Sequence, residues 1–255
     1  MDLVQTIILG IVEGATEFVP VSSTGHLILA SSLLGIPQTE FVKTFEIAIQ
    51  SGAILAVVAL YWKSFLNWPL IQKIIAAFIP TGIIGLALHS YVKAHLLGNE
   101  MVVLSALAVG GLALIAFELW HEEHEGTKDI TSLSYTNAVL IGIAQAIAII
   151  PGVSRSAATI VGGLALGLSR AAIIEFSFLL AVPTMAAATG LDLLKTSIAF
   201  TGYEWFLLSV GFVVSFLVAL AAIRWLLHFV RGHSFIPFGI YRIVLSLVFA
   251  LYLFR

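Results

Sequence analysis

The chain has 255 residues, of which 60% are hydrophobic and only 10% charged, and its mean hydropathy is +1.08. A soluble domain carries about 25% charged residues, so this composition excludes a water-soluble fold and calls for an all-α integral membrane protein. The net charge of -2 carries no information on nucleic acid, but no basic run is present to track a phosphate backbone, so nucleic acid is not expected as a partner; the absence of cysteine excludes disulfides, thiolate chemistry and Cys-ligated metals.

Residues 2–19 are apolar except for Glu13 and Glu17 in their second half. They lack the basic start of a cleaved signal peptide. Residues 20–25 break the helix through Pro20, the hydroxyls of Ser22, Ser23 and Thr24, and Gly25, and residues 26–34 are apolar again. This second piece falls well short of the ~20 residues needed to cross a bilayer. A helix, a polar break and a short helix predict a re-entrant hairpin. Irregular backbone at membrane depth is tolerated only inside protein or beside a water-filled cavity. Three ordinary spans follow at 42–62, 70–92 and 100–120, with Trp62, Tyr91 and Trp120 as interfacial anchors. His89 reads as an interfacial histidine. Residues 121–134 read as a solvated polar loop in preference to a metal site built on His121 and His124.

The pattern then recurs: an apolar piece at 138–150, a polar break at 151–159, a short apolar piece at 160–168, and spans at 172–194, 204–230 and 236–254. An offset of 132 residues places Gly10 on Gly142, Glu13 on Gln145, Ser22 on Ser154, Ser23 on Arg155 and Thr24 on Ser156. The chain therefore divides into a first repeat (1–120), a polar loop (121–134) and a second repeat (135–255), each a hairpin plus three spans. Three is odd, so the second repeat inserts upside down. Such inverted repeats place their site near the midplane, where broken helices meet. With both termini outside, Lys63, Lys73, Lys128, Arg170, Arg224 and Arg231 fall on the cytoplasmic side, and Lys43, Lys93, Lys195 and Arg255 fall opposite. That weak bias puts the mouth of the first hairpin on the extracytoplasmic side.

The polar tips carry the chemistry. Glu13 and Glu17 lie one helical turn apart and so share a face. A charged residue at bilayer depth costs at least ~2.5–3.5 kcal/mol, which makes such groups functional by default. Paired carboxylates suit Mg²⁺ or Ca²⁺, which bind phosphate oxygens at the same time. The run Ser22-Ser23-Thr24-Gly25 opens a short helix and offers an anion cradle, and His26 can serve as acid, base or nucleophile. In the second tip Arg155 stands between Ser154 and Ser156, and its guanidinium forks onto phosphate. Glu46 and Gln50 are candidates for supporting this site, whereas Glu175 and Arg242 read as structural.

The runs EGATEFVPVSSTGH at 13–26, KTFEIAIQSG at 43–52, PGVSRSAATI at 151–160, EFSFLLAVP at 175–183 and SFIPFGIYR at 234–242 resemble the undecaprenyl-diphosphate phosphatases, the bacitracin-resistance proteins, over essentially the whole chain. The resemblance implies a divalent-cation-dependent phosphatase of the bacterial plasma membrane. It would remove the terminal phosphate of a polyprenyl diphosphate lipid, recycle the carrier for cell-wall synthesis, and open its site to the extracytoplasmic side. It makes Glu13 and Glu17 the acidic pair and metal ligands, Ser23 and His26 the nucleophile or base candidates beside an activated water as the third nucleophile, and Arg155 the phosphate clamp. Ser22, Thr24, Gly25, Ser154, Ser156 and Thr159 become phosphate-binding groups. A homodimer is compatible with this architecture. Ala157 departs from the family's usual glycine and is expected to narrow backbone approach to phosphate. The competing class is a transporter that flips a polyprenyl phosphate lipid.

Overall fold

The computed structural model describes residues 1–96, 99–121, 129–195 and 200–253, without the side chains of 89, 93 and 192–195. His124, Lys128, Arg255 and the side chains of His89, Lys93 and Lys195 therefore lie outside the described residues. Among the described residues ten α-helices follow in order: α1 Leu3–Thr16, α2 Ser23–Leu33, α3 Glu40–Tyr61, α4 Trp68–His95, α5 Glu100–Trp120, α6 Tyr135–Ala146, α7 Arg155–Ala165, α8 Arg170–Lys195, α9 Gly202–Phe229 and α10 Ile236–Leu253. Six of them are long and apolar enough to cross a membrane: Glu40–Tyr61, Trp68–Leu88, Glu100–Trp120, Arg170–Leu191, Gly202–Phe229 and Ile236–Leu253. The remaining four are the short helices flanking the two polar breaks.

The caps explain the boundaries. Asp2 and Gln5 close a reciprocal capping box at the start of α1, and Thr201 and Glu204 do the same for α9. Asn67 and Asn99 cap α4 and α5. In both breaks the helix starts earlier than hydropathy predicts. α2 begins at Ser23 rather than residue 26, because the Ser22 hydroxyl accepts from the Gly25 amide. α7 begins at Arg155 rather than residue 160, because Ser154 accepts from the Ala157 amide at 3.2 Å. A hydroxyl run marks a helix start as readily as a break, since a capping side chain satisfies one of the free amides of the first turn.

Small residues let the short helices approach their neighbours at backbone distance. A Cβ on Gly14 would meet the Ser215 carbonyl on α9, and one on Gly142 would overlap the Ala77 carbonyl on α4. α1 thus lies along α9 and α6 along α4. α3 packs on α8 and α9, α4 on α8, and α5 on α10, while α1 pairs with α2 and α6 with α7. The principal core gathers Phe18 and Val19 of the first break with apolar side chains of α3, α4, α6, α7, α8 and α9. Both tips are therefore enclosed by protein.

Candidate functional site

The two breaks meet at one carboxylate. Glu17 caps the C-terminus of α1 and is buried. Its Oε2 accepts a short hydrogen bond from the Ser23 hydroxyl, across the turn within its own hairpin. Its Oε1 receives Arg155 Nη2, from the start of α7, at 3.1 Å. Arg155 also donates through Nη1 to the Ser177 carbonyl on α8 at 3.1 Å, and its carbon lies 5.9 Å from the Phe18 ring centroid. Its Nε–H is buried and has no acceptor among the described residues. A buried guanidinium with an open donor is a site for an incoming anion.

Glu13 sits one turn before Glu17 and is fully buried, and neither of its carboxylate oxygens has a hydrogen-bond partner among the described residues. Its counterpart by the 132-residue offset, Gln145, is equally enclosed, but its amide donates to Thr81 at 2.9 Å and to Thr184 at 3.1 Å. Gln145 thus engages its amide nitrogen and leaves only its Oε1 without a partner, whereas both oxygens of the Glu13 carboxylate are without one among the described residues. Glu46, on α3, accepts from the Ser31 hydroxyl at 2.7 Å. Gln50 is partly buried one turn further along α3.

The first turn of α2 holds the remaining groups of the first tip. Ser22 adopts φ 72 and ψ 92, the only positive φ at a non-glycine residue among the described residues. Such a conformation costs on the order of 1–3 kcal/mol and persists only where its surroundings fix it. It sets Ser23 at the helix start, facing Glu17. Thr24 is exposed, and Gly25 is buried against Val103 and Leu107 of α5. His26 turns elsewhere. Its Nδ1 donates to the Ser22 carbonyl at 2.8 Å, which leaves Nε2 of the neutral ring to accept from the Tyr241 hydroxyl at 2.8 Å. The two rings are stacked, with centroids 5.5 Å apart. The Ser23 hydroxyl therefore pairs with Glu17 and not with the histidine.

The hydroxyls of the second tip are engaged within the protein. Ser156 donates to the Val19 carbonyl of the first tip at 3.0 Å and accepts from Ser154 at 2.9 Å. Thr159 donates to the Arg155 and Ser156 carbonyls and meets the Ser177 hydroxyl at 2.6 Å. These bonds tie the tips together and hold α7 against α8. Ala157 lines an apolar groove of about 750 Å³ together with side chains of α5 and α7.

Sequence reasoning brings Glu13, Glu17, Ser23 and Arg155 to one place and misses Tyr241, Ser177 and the bridging bonds of Arg242, which reads as structural. Arg242 is only 1% exposed and donates to four backbone carbonyls, including one from each tip. A buried cation in the last apolar span was the signal that could have found it.

A family model described as Bacitracin resistance protein BacA matches residues 6–248. Proteins named undecaprenyl-diphosphatase are similar over nearly the full length. The one from Sulfurihydrogenibium sp. is 54% identical over 253 residues, covering 99% of this chain and 100% of the relative. That from Aquifex aeolicus is 50% identical over 247 residues, covering 96% of each. That from Persephonella marina is 52% identical over 254 residues, covering 99% of each.

Proposed function

The chain belongs to the bacitracin resistance protein family, and on that footing we propose that it is an integral-membrane phosphatase that converts undecaprenyl diphosphate to undecaprenyl phosphate and inorganic phosphate. The observation that carries the reading is the Glu17 carboxylate, which takes the Ser23 hydroxyl from its own hairpin and the Arg155 guanidinium from the other.

Ser23 Oγ attacks the terminal phosphorus, and its proton passes to Glu17, the base already in contact with it. The bond from that phosphorus to the bridging oxygen breaks, and undecaprenyl phosphate leaves. The first proton leaves Glu17 with the departing undecaprenyl phosphate; water then attacks the phosphoserine and gives its proton to the Glu17 carboxylate, the bond from phosphorus to Ser23 Oγ breaks, Glu17 returns that proton to Oγ, and inorganic phosphate departs. Arg155 takes the charge that develops on the transferring phosphoryl group through its open Nε–H. His26, bound on both nitrogens, holds the turn of α2 to α10 rather than supplying the nucleophile.

Glu13 and Glu17 fit a divalent cation. The two unpartnered oxygens of Glu13 are hard oxygen donors in a buried place. Among the described residues no cluster of three or more acids or histidines forms a closed cage, so a Mg²⁺ or Ca²⁺ held here would complete its shell with water and substrate phosphate. The cation would neutralise the diphosphate charge.

The packing supports an inverted repeat of two re-entrant hairpins, with residues 1–120 and 135–255 as its halves. Exchanging α1 with α6, α2 with α7, α3 with α8, α4 with α9 and α5 with α10 turns the α1–α9 pair into α6–α4 and the α3–α9 pair into α8–α4. It returns α5–α10 and α3–α8 to themselves. In this arrangement the first hairpin opens on the side of the termini, which the lysine and arginine bias makes the extracytoplasmic face of the bacterial plasma membrane. The polyprenyl chain then stays in the outer leaflet while its headgroup enters.

The test is inorganic phosphate release from a prenyl diphosphate by purified protein in detergent. The expected result is turnover that Ser23→Ala and Glu17→Gln abolish and that EDTA suppresses. An absence of release under varied divalent cations would overturn the phosphatase reading and point to a lipid carrier.

A further inference from the structure

Among the described residues Arg242 is the largest side chain that the fold buries completely. Its Nε donates to the Leu107 carbonyl at 3.3 Å and its Nη2 to that of Ala106 at 3.0 Å, both on α5. Its other two bonds leave α5. Nη1 donates to the Pro20 carbonyl of the first tip at 3.4 Å, and Nη2 donates to the Gly152 carbonyl of the second at 3.1 Å. No carboxylate pairs with it among the described residues.

An arrangement of this kind is expensive as mere packing. A buried cation held by carbonyl dipoles alone is less stable than an apolar side chain of similar volume. The surroundings are nevertheless shaped for it. Gly110 has no side chain where a Cβ would overlap Arg242 Nη2 and Cζ, and Gly111 and Gly239 bring α5 and α10 together at backbone distance one turn before the arginine. Gly152 holds φ +92, and a Cβ there would strike the Val103 carbonyl and Ala106. Only glycine fits a backbone that turns this tightly against a helix.

We infer that Arg242 is a positioning residue for the phosphatase reaction: by bonding Pro20 and Gly152 together it sets the separation of the two tips, and so the placement of Arg155 against Glu17 and Ser23. Pro20 lies three residues from Glu17 and from Ser23, and Gly152 lies three from Arg155. The Ser156–Val19 hydrogen bond is a second link of backbone to tip, and the Glu17–Arg155 pair is the alignment that these links hold. The planar guanidinium of Arg242 adds fixed contacts in several directions. A lysine, with its donors on one flexible point, does not reproduce them. Arg242 touches no substrate in this role. It acts through Arg155, and the inference rests on the site proposed above.

The test measures kcat and KM per folded molecule for Arg242→Lys and for Gly110→Ala, each alone and combined with Arg155→Lys. Gly110→Ala keeps the cation and displaces it, so it decides the matter if Arg242→Lys does not fold. Expected is a fall in kcat of about 10²-fold from a misplacement near 1 Å, with KM changed less than about threefold, because ground-state binding does not use Arg242. In the Arg155→Lys background the further loss should shrink below about threefold, since both substitutions disable one alignment. An unchanged kcat per folded molecule, or full multiplicative losses in the double variants, overturns the inference. If Arg155→Lys alone proves fully active, the site reading itself fails, and that outcome is separate from the other two.

Discussion

Glu17→Gln is the most informative single change, because it preserves shape and removes two properties at once. The amide cannot take the Ser23 proton, and it leaves Arg155 without its counter-charge. For the first loss, a positioned general base contributes about 10²–10⁴-fold, so phosphate release should fall by at least about 10². For the second, unit charges 3.1 Å apart interact by about 5 kcal/mol at an effective dielectric near 20. Much of that offsets desolvation, but removing one partner of a buried pair exposes the penalty of the other, typically about 3–5 kcal/mol. The variant should therefore be inactive and less stable, with a lower unfolding midpoint by tryptophan fluorescence in detergent. Adding Arg155→Met to Glu17→Gln removes both charges, and it should recover most of the stability and none of the activity. A Glu17→Gln enzyme that keeps more than about a tenth of the wild-type rate would refute the Ser23–Glu17 pairing as the chemical step. A midpoint that does not fall would refute the pairing with Arg155.

Ser23→Ala should abolish phosphate release while substrate still binds, and a trapped phosphoserine should appear by mass spectrometry in wild type quenched during turnover; phosphohistidine at His26 instead would reverse the assignment. Tyr241→Phe removes the hydroxyl that His26 accepts from at 2.8 Å. It should lower stability by about 1 kcal/mol, the usual net worth of such a bond, and leave at least about a third of the rate, so a 10²-fold loss would make the histidine a participant in the chemistry. Glu13→Gln should raise the Mg²⁺ or Ca²⁺ concentration needed for half-maximal release by at least about tenfold, and an unchanged cation titration would remove Glu13 as a ligand. Gly142→Ala pushes a methyl into the Ala77 carbonyl. It should reduce the yield of folded protein and lower the midpoint by the equivalent of about 1–3 kcal/mol, as overpacking does.

The parts of this protein that sequence revealed are those where hydropathy and charge conflict. Six long apolar segments announce themselves, and their ends shift by only a few residues, because caps such as Asn67 and Asn99 decide them. Glu13, Glu17 and Arg155 stand out because each is an ionisable group where lipid-depth residues should be neutral. Hydroxyls carry no such signal. Ser22 and Ser154 cap helices, Ser156 ties one tip to the other, and Ser23 faces the carboxylate, yet all four look alike in a polar run. The partners of His26 and Arg242 were hidden for a different reason. Tyr241 is 215 residues from His26, and Arg242 is 222 from Pro20. No local periodicity encodes pairing over such distances. Arg242 reads as structural in the sequence, but which backbone it holds depends on how α10 crosses α5.

The Glu17–Arg155 pair also has a history within each molecule. Its members are separated by 138 residues of chain. At synthesis rates of about 5–20 residues per second, Glu17 waits roughly 7–28 s before Arg155 emerges, and Arg242 follows later still. During that interval the first hairpin holds two carboxylates without the arginine that will face Glu17, a state that water, protons or a metal ion must accommodate. The newborn half can enter the membrane only as a provisional form, and the enzyme comes into being when its last helix arrives.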